Sequence, residues 1–429
     1  MSTIGTHPSA LRGRQSDEWR AGGRTAAFSA IGYGAGPMLF MMTASVFVRP
    51  MTEATGWSTT EVLLGPIFIV FFNAAALVVG RLVDRRGIRT IILVGLVPYI
   101  ALVALMAFLP VTKITFYALG AAIGVFGAFG GQVPFYKLIT LWFDKSAGKA
   151  FGLLGAGAGV MPILAIPLVT WAVYGAGWKT GYLVLAGFTL LLTIPAVAIG
   201  VQVPAGQEVS TAAEATAGAE GRPPVSARTV LTSVRFWIFA FSVLVMYSGA
   251  SAFTANMQPI LLDGGLGVAV ATTVTTVFTA GMVVGRLAAG VLLDMVSRYW
   301  VVIGMLTLST LGALTLTQIP ALPAVVVGVG ALMVALSLGA EGDIMSYFLV
   351  KDYGPLIFGV LFSVCIAVAG ASGFVFPYLF SGIRESTGSY DAACYLGAAC
   401  FVVGGLALVV YGLLGRRRSA AAVDEATEA

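Results

Sequence analysis

Long apolar runs alternate with short polar connectors along almost the whole chain. A helix needs about 20 apolar residues to cross a bilayer core of about 30 Å. Twelve runs meet that length, at residues 25–48, 60–82, 90–110, 114–140, 147–174, 180–203, 235–261, 268–293, 300–319, 322–349, 356–383 and 391–415. The pattern predicts an all-α polytopic membrane protein with twelve transmembrane helices.

One connector is much longer than the others. Residues 204–234 are rich in Ala, Glu, Gly and Pro, a composition typical of a flexible linker. It divides the spans into two sets of six. The predicted domains are therefore an N-terminal tail (1–24), a six-helix bundle (25–203), the linker (204–234), a second six-helix bundle (235–415) and a C-terminal tail (416–429).

The composition requires lipid as a partner. The chain is 58% hydrophobic and only 10% charged, whereas ordinary globular domains carry about 25% charged residues. So few charges cannot cover the surface of a soluble protein of 429 residues. The net charge of +5 is modest and needs no nucleic acid partner to explain it.

The basic residues predict the orientation. If both termini are cytoplasmic, eighteen of the 24 Lys and Arg residues fall in cytoplasmic segments, and four fall outside: Arg49, Lys113, Lys179 and Arg384. Cytoplasmic loops of membrane proteins carry such an excess. We expect a multi-pass protein of the plasma (inner) membrane with both termini in the cytoplasm.

Few residues suited to catalysis or metal binding are present. His7 is the only histidine, and Cys365, Cys394 and Cys400 show no CxxC spacing. We expect no metal site and no cofactor. A membrane enzyme is disfavoured because no histidine and no metal-ligand cluster lies at membrane depth.

Two loops carry related motifs. GRLVDRRGIRT (80–90) lies between the second and third spans, and GVLLDMVSR (290–298) lies between the eighth and ninth. Gly80 and Asp84 align with Gly290 and Asp294 at an offset of 210 residues. KAFGLL (149–154) also matches LIFGVL (356–361), so the two halves are related repeats, as in transporters that rock one half against the other.

The motif suggests a gate on the cytoplasmic side. A glycine at a helix end lets a neighbouring helix approach, the aspartate caps or pairs with a partner helix end, and the arginines hold that face together in one state. The alternative is a simple basic anchor at the membrane surface. The predicted gating residues are Gly80, Asp84, Arg85, Gly87, Arg89, Gly290 and Asp294.

With this loop the chain resembles the major facilitator superfamily. Five further stretches are similar to the monocarboxylate transporter and oxalate/formate antiporter group: VFVRPMTEATGWSTTEV (46–62), LWFDKSAGKAFGLLGAGAGV (141–160), GWKTGYLVLAG (177–187), NMQPILLDGGL (256–266) and TGSYDAA (387–393). The resemblance implies two pseudo-symmetric six-helix halves around a central cavity, alternating access, small organic anions as substrates, and often proton coupling.

Four ionisable residues fall at membrane depth: Lys137, Arg286, Glu341 and Asp343. Burying such a charge costs several kcal/mol unless it is paired or hydrated. In the related transporters a span-8 arginine holds the substrate carboxylate, and Arg286 matches that position. Its planar guanidinium fork suits a carboxylate. The alternative is a permanent ion pair with Glu341 or Asp343 that fixes helix packing.

The chain also departs from these relatives. Monocarboxylate transporters place an aspartate one turn before that arginine, where this chain has Met282. Residues 25–48 and 356–383 contain no lysine, although the relatives often have one in span 1 or span 11. Their proton relay and second cationic ligand therefore do not carry over.

Other residues are candidates for those roles. Lys137 is either a second cation for the substrate or a side chain that snorkels to the interface. Glu341 and Asp343 either couple transport to protons or balance the charges of Arg286 and Lys137. Five polar residues are candidate substrate contacts that can equally make helix–helix hydrogen bonds: Tyr33, Tyr136, Tyr347, Asn256 and Gln258.

The sequence thus predicts a secondary active transporter of small mono- or dicarboxylate anions that works by alternating access, as a monomer, with protons or a counter-anion as the candidate coupled species. The alternative is a proton-driven exporter of amphipathic or cationic compounds with the same fold, in which Glu341 and Asp343 would bind the cation.

Overall fold

The computed structural model describes residues 15–62, 65–110, 112–204 and 226–428. Within these ranges the chain is almost entirely helical and has no β-strand. This agrees with the long apolar runs of the sequence, because helices satisfy their own backbone hydrogen bonds in lipid.

Eighteen α-helices occur in the described ranges. Those before the linker are α1 (Gln15–Gly34), α2 (Met38–Met42), α3 (Ala44–Thr55), α4 (Thr59–Val62), α5 (Gly65–Arg85), α6 (Ile88–Leu105), α7 (Lys113–Gly127), α8 (Gln132–Trp142), α9 (Ala147–Ala176) and α10 (Trp178–Pro195). Those after it are α11 (Ala227–Leu231), α12 (Val234–Asp263), α13 (Val268–Met295), α14 (Arg298–Leu316), α15 (Ala324–Leu338), α16 (Glu341–Tyr353), α17 (Phe358–Thr387) and α18 (Asp391–Glu428).

Eleven stretches of the described chain are long and apolar enough to cross a membrane, and they match predicted spans 2 to 12. The first predicted span, 25–48, is divided among α1, α2 and α3. The chain leaves the helical path at Ala35–Pro37 and again at Thr43. Because Pro37 has no backbone N–H to donate, it suits the start of a new helix better than the middle of an old one.

Spans 4 and 10 are broken in the same way. Span 4 consists of α7, a 3₁₀ turn at Ala128–Gly130, and α8. Span 10 consists of α15 and α16, separated by Gly339 and Ala340. The two breaks are separated by nearly the same 210 residues that relate the loop motifs. Broken helices at membrane depth leave backbone groups for other partners, and in transporters they occur at binding sites.

Three predicted polar segments contain helix. α11 lies inside the predicted linker 204–234, of which residues 205–225 lie outside the described residues. α18 continues through residues that were predicted to form the C-terminal tail. α1 begins at Gln15, ten residues before the predicted first span, so part of the predicted N-terminal tail is helical.

The helices form two compact units. One comprises Met1–Pro224 with Leu349–Ala367, and the other comprises Val225–Phe348 with Val368–Ala429. In the first unit α1 packs on α9 and α5 on α7; in the second, α12 packs on α18 and α15 on α13 and α14. The segment 349–367 belongs by sequence to the second repeat but packs with the first. The residue boundaries of the predicted domains stay a prediction.

Glycines allow the closest helix contacts. A Cβ on Gly157 of α9 would lie 2.1 Å from the Ala30 carbonyl oxygen of α1, and a Cβ on Gly34 would lie 2.2 Å from the Gly157 oxygen. The backbones of α1 and α9 therefore touch directly. The glycine-rich stretches around Gly34 and Gly157 serve close helix packing, as small residues do in membrane proteins.

The four basic residues that were predicted to lie outside all have partners. Arg49 pairs with Glu53, Lys113 with Glu61, and Arg384 with Asp263, whereas Lys179 lies 5.6 Å from the ring centroid of Trp178. The hydrogen bond from Lys113 lowers the pKa of the Glu61 carboxyl below its usual value. These four positive charges thus each have a local partner.

We expect Gly157→Ala to lower the melting temperature of the detergent-purified protein, because the added methyl group overlaps the α1 backbone. Overpacking of this kind costs about 1–3 kcal/mol. Gly187→Ala is the matched control, since a Cβ on that α10 glycine meets no atom within 4 Å. Equal melting temperatures for the two variants would contradict the direct backbone contact.

Candidate functional site

Asp84 caps the start of α17. One of its oxygens, Oδ1, accepts a hydrogen bond from the Gly359 N–H at 3.0 Å, and Oδ2 accepts one from the Val360 N–H at 2.9 Å. These N–H groups lie in the first turn of α17, where a helix has no internal acceptors for them and carries partial positive charge. Asp84, from the motif between spans 2 and 3, therefore binds the helix end that follows the span 10–11 connector.

Lys137 completes this arrangement. Its Nζ lies 2.7 Å from Asp84 Oδ1 and also donates to the carbonyl oxygens of Pro355 and Leu356. Both charged side chains are at most 9% exposed. The contacts of Asp84 and Lys137 with residues 355–360 are here called the latch.

Glycines make the latch possible. A Cβ on Gly80 would lie 2.4 Å from the Gly359 carbonyl oxygen, and one on Gly359 would lie 2.7 Å from Asp84 Oδ1. Only glycine at both positions lets α5 and α17 approach this closely. The latch is therefore a tight backbone contact as well as a set of polar bonds.

The remaining motif residues have different surroundings. Arg89 donates to the Ala198 carbonyl oxygen, whereas Arg85 is exposed. Gly87 precedes α6 with an ordinary negative φ of −61°, so its backbone does not require glycine. In the second unit Gly290 is buried in α13, and Asp294 lies half-buried in its last turn. The gating role of all seven motif residues stays a prediction.

Glu18 is a buried carboxylate that the sequence analysis missed. It lies in α1 and is 5% exposed. Its oxygens accept hydrogen bonds from the backbone N–H groups of Asp144, Lys145 and Ser146, at 3.3, 2.9 and 2.9 Å, and from the Ser146 hydroxyl. Glu18 thereby fixes residues 144–146, the turn that leads into α9 and is here called the Glu18 turn.

The Glu18 turn also holds a basic residue of the second repeat. Lys351, near the end of α16, donates to the Asp144 carbonyl oxygen at 2.8 Å and pairs with Asp144 Oδ1 at 2.6 Å. Unlike the latch this pair is open to solvent, since the Asp144 side chain is 81% exposed. Such a pair contributes little stability by itself, but it ties residue 351 to the same unit as the latch.

Arg286 lies at the break in span 10. Its Nε donates to the Gly339 carbonyl oxygen at 2.6 Å and is 3.4 Å from Asp343 Oδ2. The Asp343 side chain is fully buried, and the arginine side chain is 25% exposed. Of the two carboxylates proposed as its ionic partner, Asp343 forms the ion pair.

Backbone contact between α13 and span 10 determines this position. A Cβ on Gly285 would lie 2.0 Å from the Leu336 carbonyl oxygen, and a Cβ on Gly339 would lie 1.8 Å from the Met282 carbonyl oxygen. The two chain segments therefore touch just before the break, at Leu336, and in the break itself, at Gly339. Arg286, next to Gly285, is thereby brought beside the carbonyl group that the break exposes.

Glu341 faces a different environment. It is 7% exposed and lines a cavity of about 10 Å³ together with residues of α12, α14 and α18. Among the residues that the structure describes, no hydrogen bond or ion pair joins its carboxyl group. A cavity of this size is at the lower limit for one water molecule.

Two predicted substrate contacts of the first unit, Tyr33 and Tyr136, belong to an aromatic cluster, and their contact with substrate stays a prediction. Tyr33 and Tyr136 are buried and meet edge to face with centroids 6.0 Å apart. Tyr136 also stacks on Phe151 and Phe362, at 5.5 and 5.2 Å. The cluster thus joins α1, α8 and α9 to the start of α17, directly beside the latch.

In the second unit, Asn256 joins two helices. Its Nδ2 donates to the carbonyl oxygens of Ala252 and Pro377, and its Oδ1 accepts from the Ser381 hydroxyl. One donor hydrogen thus bonds within α12, whereas the other, together with the Ser381 hydroxyl, joins α12 to α17. Gln258 is exposed, and Tyr347 is buried at 9% exposure in α16. Substrate contact by any of the three stays a prediction.

Comparison with known sequences decides the family. The sequence model described as "Major Facilitator Superfamily" matches residues 26–354. The chain belongs to the Major Facilitator Superfamily. It is therefore a multi-pass membrane transporter rather than an enzyme, and the predicted fold of twelve transmembrane helices in two halves is confirmed.

Two relatives of this transporter have similar sequences. It is 27% identical over 296 residues to "Monocarboxylate transporter 11" of Mus musculus, in a match that covers 63% of the chain and 61% of the relative. It is 24% identical over 299 residues to the "Uncharacterized MFS-type transporter YcxA" of Bacillus subtilis (strain 168), in a match that covers 66% of the chain and 68% of the relative. The first match thus spans about three fifths of the length of the mouse protein.

Solved structures confirm the fold of the transporter. A variant of the E. coli fucose:proton symporter FucP matches with a TM-score of 0.66 and 14% identity, over 93% of this chain and 99% of FucP. The proton:xylose symporter XylE, bound to 6-bromo-6-deoxy-D-glucose, matches with a TM-score of 0.67 and 12% identity, over 92% of this chain and 95% of XylE. At such identities the likeness concerns the fold alone.

For the latch of this transporter we expect strong coupling between Asp84 and Lys137. Asp84→Asn or Lys137→Met alone leaves a buried charge without its partner and should cost about 3–5 kcal/mol. The double variant leaves no charge and should recover part of that loss. Melting temperatures of the wild-type protein and the three variants in detergent complete this double-mutant cycle. If the effects of the two single substitutions simply add in the double variant, the result would contradict a buried ion pair.

We expect Glu18→Gln to lower the melting temperature of the transporter clearly, because the amide's NH₂ group faces backbone N–H groups that need acceptors. Loss of a charged hydrogen-bond acceptor costs about 1.5–3 kcal/mol. Glu53→Gln is the matched control, since the Glu53 side chain is 63% exposed and pairs with its helical neighbour Arg49. An effect of Glu18→Gln no larger than that of the control would show that Glu18 does not fix the turn.

Proposed function

We propose that this transporter moves small organic carboxylate anions across the membrane, with coupling to protons. The observation that supports the proposal is the Arg286–Asp343 pair at the break in span 10. The Nε atom of Arg286 lies 3.4 Å from Asp343 Oδ2 at membrane depth, and a planar guanidinium group is well suited to pair with a carboxylate. A substrate carboxylate is chemically equivalent to the Asp343 group with which the guanidinium already pairs.

The energetics of the pair favour a site that exchanges partners. Burying a lone guanidinium costs several kcal/mol, so Arg286 needs an anion beside it throughout the cycle. With Asp343 present, the arginine is compensated when no substrate is bound. An incoming carboxylate can then share the guanidinium without first creating an isolated buried charge.

The relatives support the same class of substrate. The mouse relative is named as a monocarboxylate transporter. Met282 stands where such transporters place an aspartate one turn before the arginine, and Asp343 supplies a carboxylate to Arg286 from span 10 instead. We propose that Asp343 takes over the role of counter-ion to the arginine.

The alternative function, export of amphipathic or cationic compounds, has weaker support in the described residues. That alternative needs Glu341 or Asp343 as the cation partner. Asp343 already faces Arg286, and the cavity at Glu341 has room for about one water molecule. We further propose that the protein acts as a monomer in the plasma (inner) membrane with both termini cytoplasmic, as the distribution of basic residues indicates.

We expect a panel of small mono- and dicarboxylates to raise the melting temperature of the purified transporter. A ligand at 100 times its dissociation constant stabilises by about 2.7 kcal/mol. Arg286→Lys should weaken the shift, because an ammonium group lacks the bidentate fork. Arg286→Ala/Asp343→Asn should abolish it without leaving a buried charge behind.

The control for this experiment is Arg384→Ala, which breaks another Arg–Asp pair of the same unit. That variant should keep the anion-induced shift. Full retention of the shift in the double variant would overturn the role of Arg286. Stabilisation of the wild-type protein by lipophilic cations, with none by carboxylates, would favour the exporter.

A further inference from the structure

The first turn of α16 carries two carboxyl groups that face different neighbours. Asp343 faces α13, where its Oδ2 is 3.4 Å from Arg286 Nε. Glu341 faces the interior of the second unit, where the cavity is lined from α12, α14 and α18. Residues two apart on a helix point in different directions, so the sequence spacing itself separates the two environments.

The surroundings of Glu341 are almost entirely apolar. α12 contributes Phe239, Met246 and Tyr247 to the cavity, whereas α14 and α18 contribute Val302 and Leu408. Tyr247 is the only other titratable group among the lining residues. Within the described part of the chain, Arg286 of α13 interacts electrostatically with Glu341 without forming an ion pair or a hydrogen bond with it.

A carboxylate in such a place is costly. Burying an ionised carboxyl group without a partner disfavours the charged form, whereas a neutral carboxylic acid loses little on burial. The described residues offer Glu341 no hydrogen bond or ion pair that would compensate a charge. Asp343, in contrast, has the guanidinium of Arg286 beside it.

We infer that the two carboxyl groups divide the work of the proposed function: Glu341 carries the transported proton, and Asp343 is a positioning residue that holds Arg286. The inference rests on the proposed function and assigns its coupling site. On loading, a proton leaves water and forms an O–H bond with the Glu341 carboxylate. On release that bond breaks and the proton returns to water on the other side.

Charge balance links this proton to the anion. The empty site with ionised Glu341 holds Arg286, Asp343 and Glu341, with a net charge of −1. The site with protonated Glu341 and a bound monocarboxylate also has a net charge of −1. Protonation of Glu341 therefore lets the anion enter without adding charge to the membrane interior, which gives one proton per monocarboxylate.

The same charge balance explains why Asp343 is less suited than Glu341 to carry the proton. If Asp343 took the proton, Arg286 would lose the carboxylate at 3.4 Å that compensates it. Removing one partner of a buried ion pair is strongly destabilising, because it leaves the other charge buried without compensation. Protonation of Glu341 breaks no ion pair in the described structure.

Infrared spectroscopy of the purified full-length protein tests the inference without any substrate. The wild-type protein at neutral pH should show the carbonyl band of a protonated carboxylic acid, and the band should titrate away as the pH rises. Glu341→Gln should remove this band, and Glu341→Asp should shift it rather than remove it. In Asp343→Asn the band should persist and titrate at lower pH, because the uncompensated arginine favours the ionised form of Glu341.

Glu18→Gln is the matched control for the infrared experiment. That carboxyl group is buried too, but its oxygens accept hydrogen bonds from backbone N–H groups of residues 145 and 146 and it is not part of the Glu341 cavity, so its substitution should leave the Glu341 band unchanged. Absence of the band in the wild-type protein, or its persistence in Glu341→Gln, would overturn the inference. If Glu341→Gln fails to fold, the shifted band of Glu341→Asp decides.

Thermal shifts with the carboxylate panel at pH 6 and pH 8 test the coupling to the anion. Wild-type stabilisation should be greater at the lower pH, and in Glu341→Gln it should no longer depend on pH. Asp343→Asn should weaken anion binding, and Asp343→Glu should restore part of it. If no carboxylate stabilises the wild-type protein, the proposed function fails, whereas the infrared bands still decide where the proton resides.

Discussion

A charge inside a transmembrane span needs a partner, and this requirement governs the polar residues of the transporter. Lys137 has Asp84, and Arg286 has Asp343. Each pair joins residues far apart in the sequence, so each also fixes the packing of two helices. Glu341 is the exception, because the described structure gives it neither an ion pair nor a hydrogen bond. A carboxyl group in that position is stable when it is protonated, and it readily takes up a proton when it is ionised. A proton carrier requires this property.

Close backbone contact brings these partners together. Gly80 and Gly359 let α5 approach α17, so that Asp84 reaches the first N–H groups of that helix. Gly285 and Gly339 let α13 touch span 10 just before and in its break, so that Arg286 reaches the Gly339 carbonyl group. In both places an added methyl group would overlap backbone atoms. The glycines thus determine the electrostatics indirectly, by setting how near the charged side chains can come.

Much of the architecture could be predicted from the sequence, and much of the site could not. Apolar runs of sufficient length and the repeated loop motif predict the twelve spans and the family. The break in span 10 is not visible to average hydropathy, because residues 324–353 together are long and apolar enough to be one span despite Glu341 and Asp343. The partner of Lys137 lies 53 residues away, and that of Glu18 lies 128 residues away. Glu18 belongs to the polar stretch SDEWRAGGR (16–24), whose charges are typical of an exposed tail, so the sequence does not mark it as buried.

The two charged groups of the latch are paired with each other as well as with residues 355–360. Asp84 and Lys137 both come from the first repeat, so they would stay paired if the contacts with residues 355–360 were broken. What breaks is a set of hydrogen bonds to backbone groups: the N–H groups of Gly359 and Val360, and the carbonyl groups of Pro355 and Leu356. Each of these bonds involves a charged group and contributes about 1.5–3 kcal/mol net. Breaking them would therefore cost several kcal/mol, but it would leave Asp84 paired with Lys137, so no isolated buried charge would result.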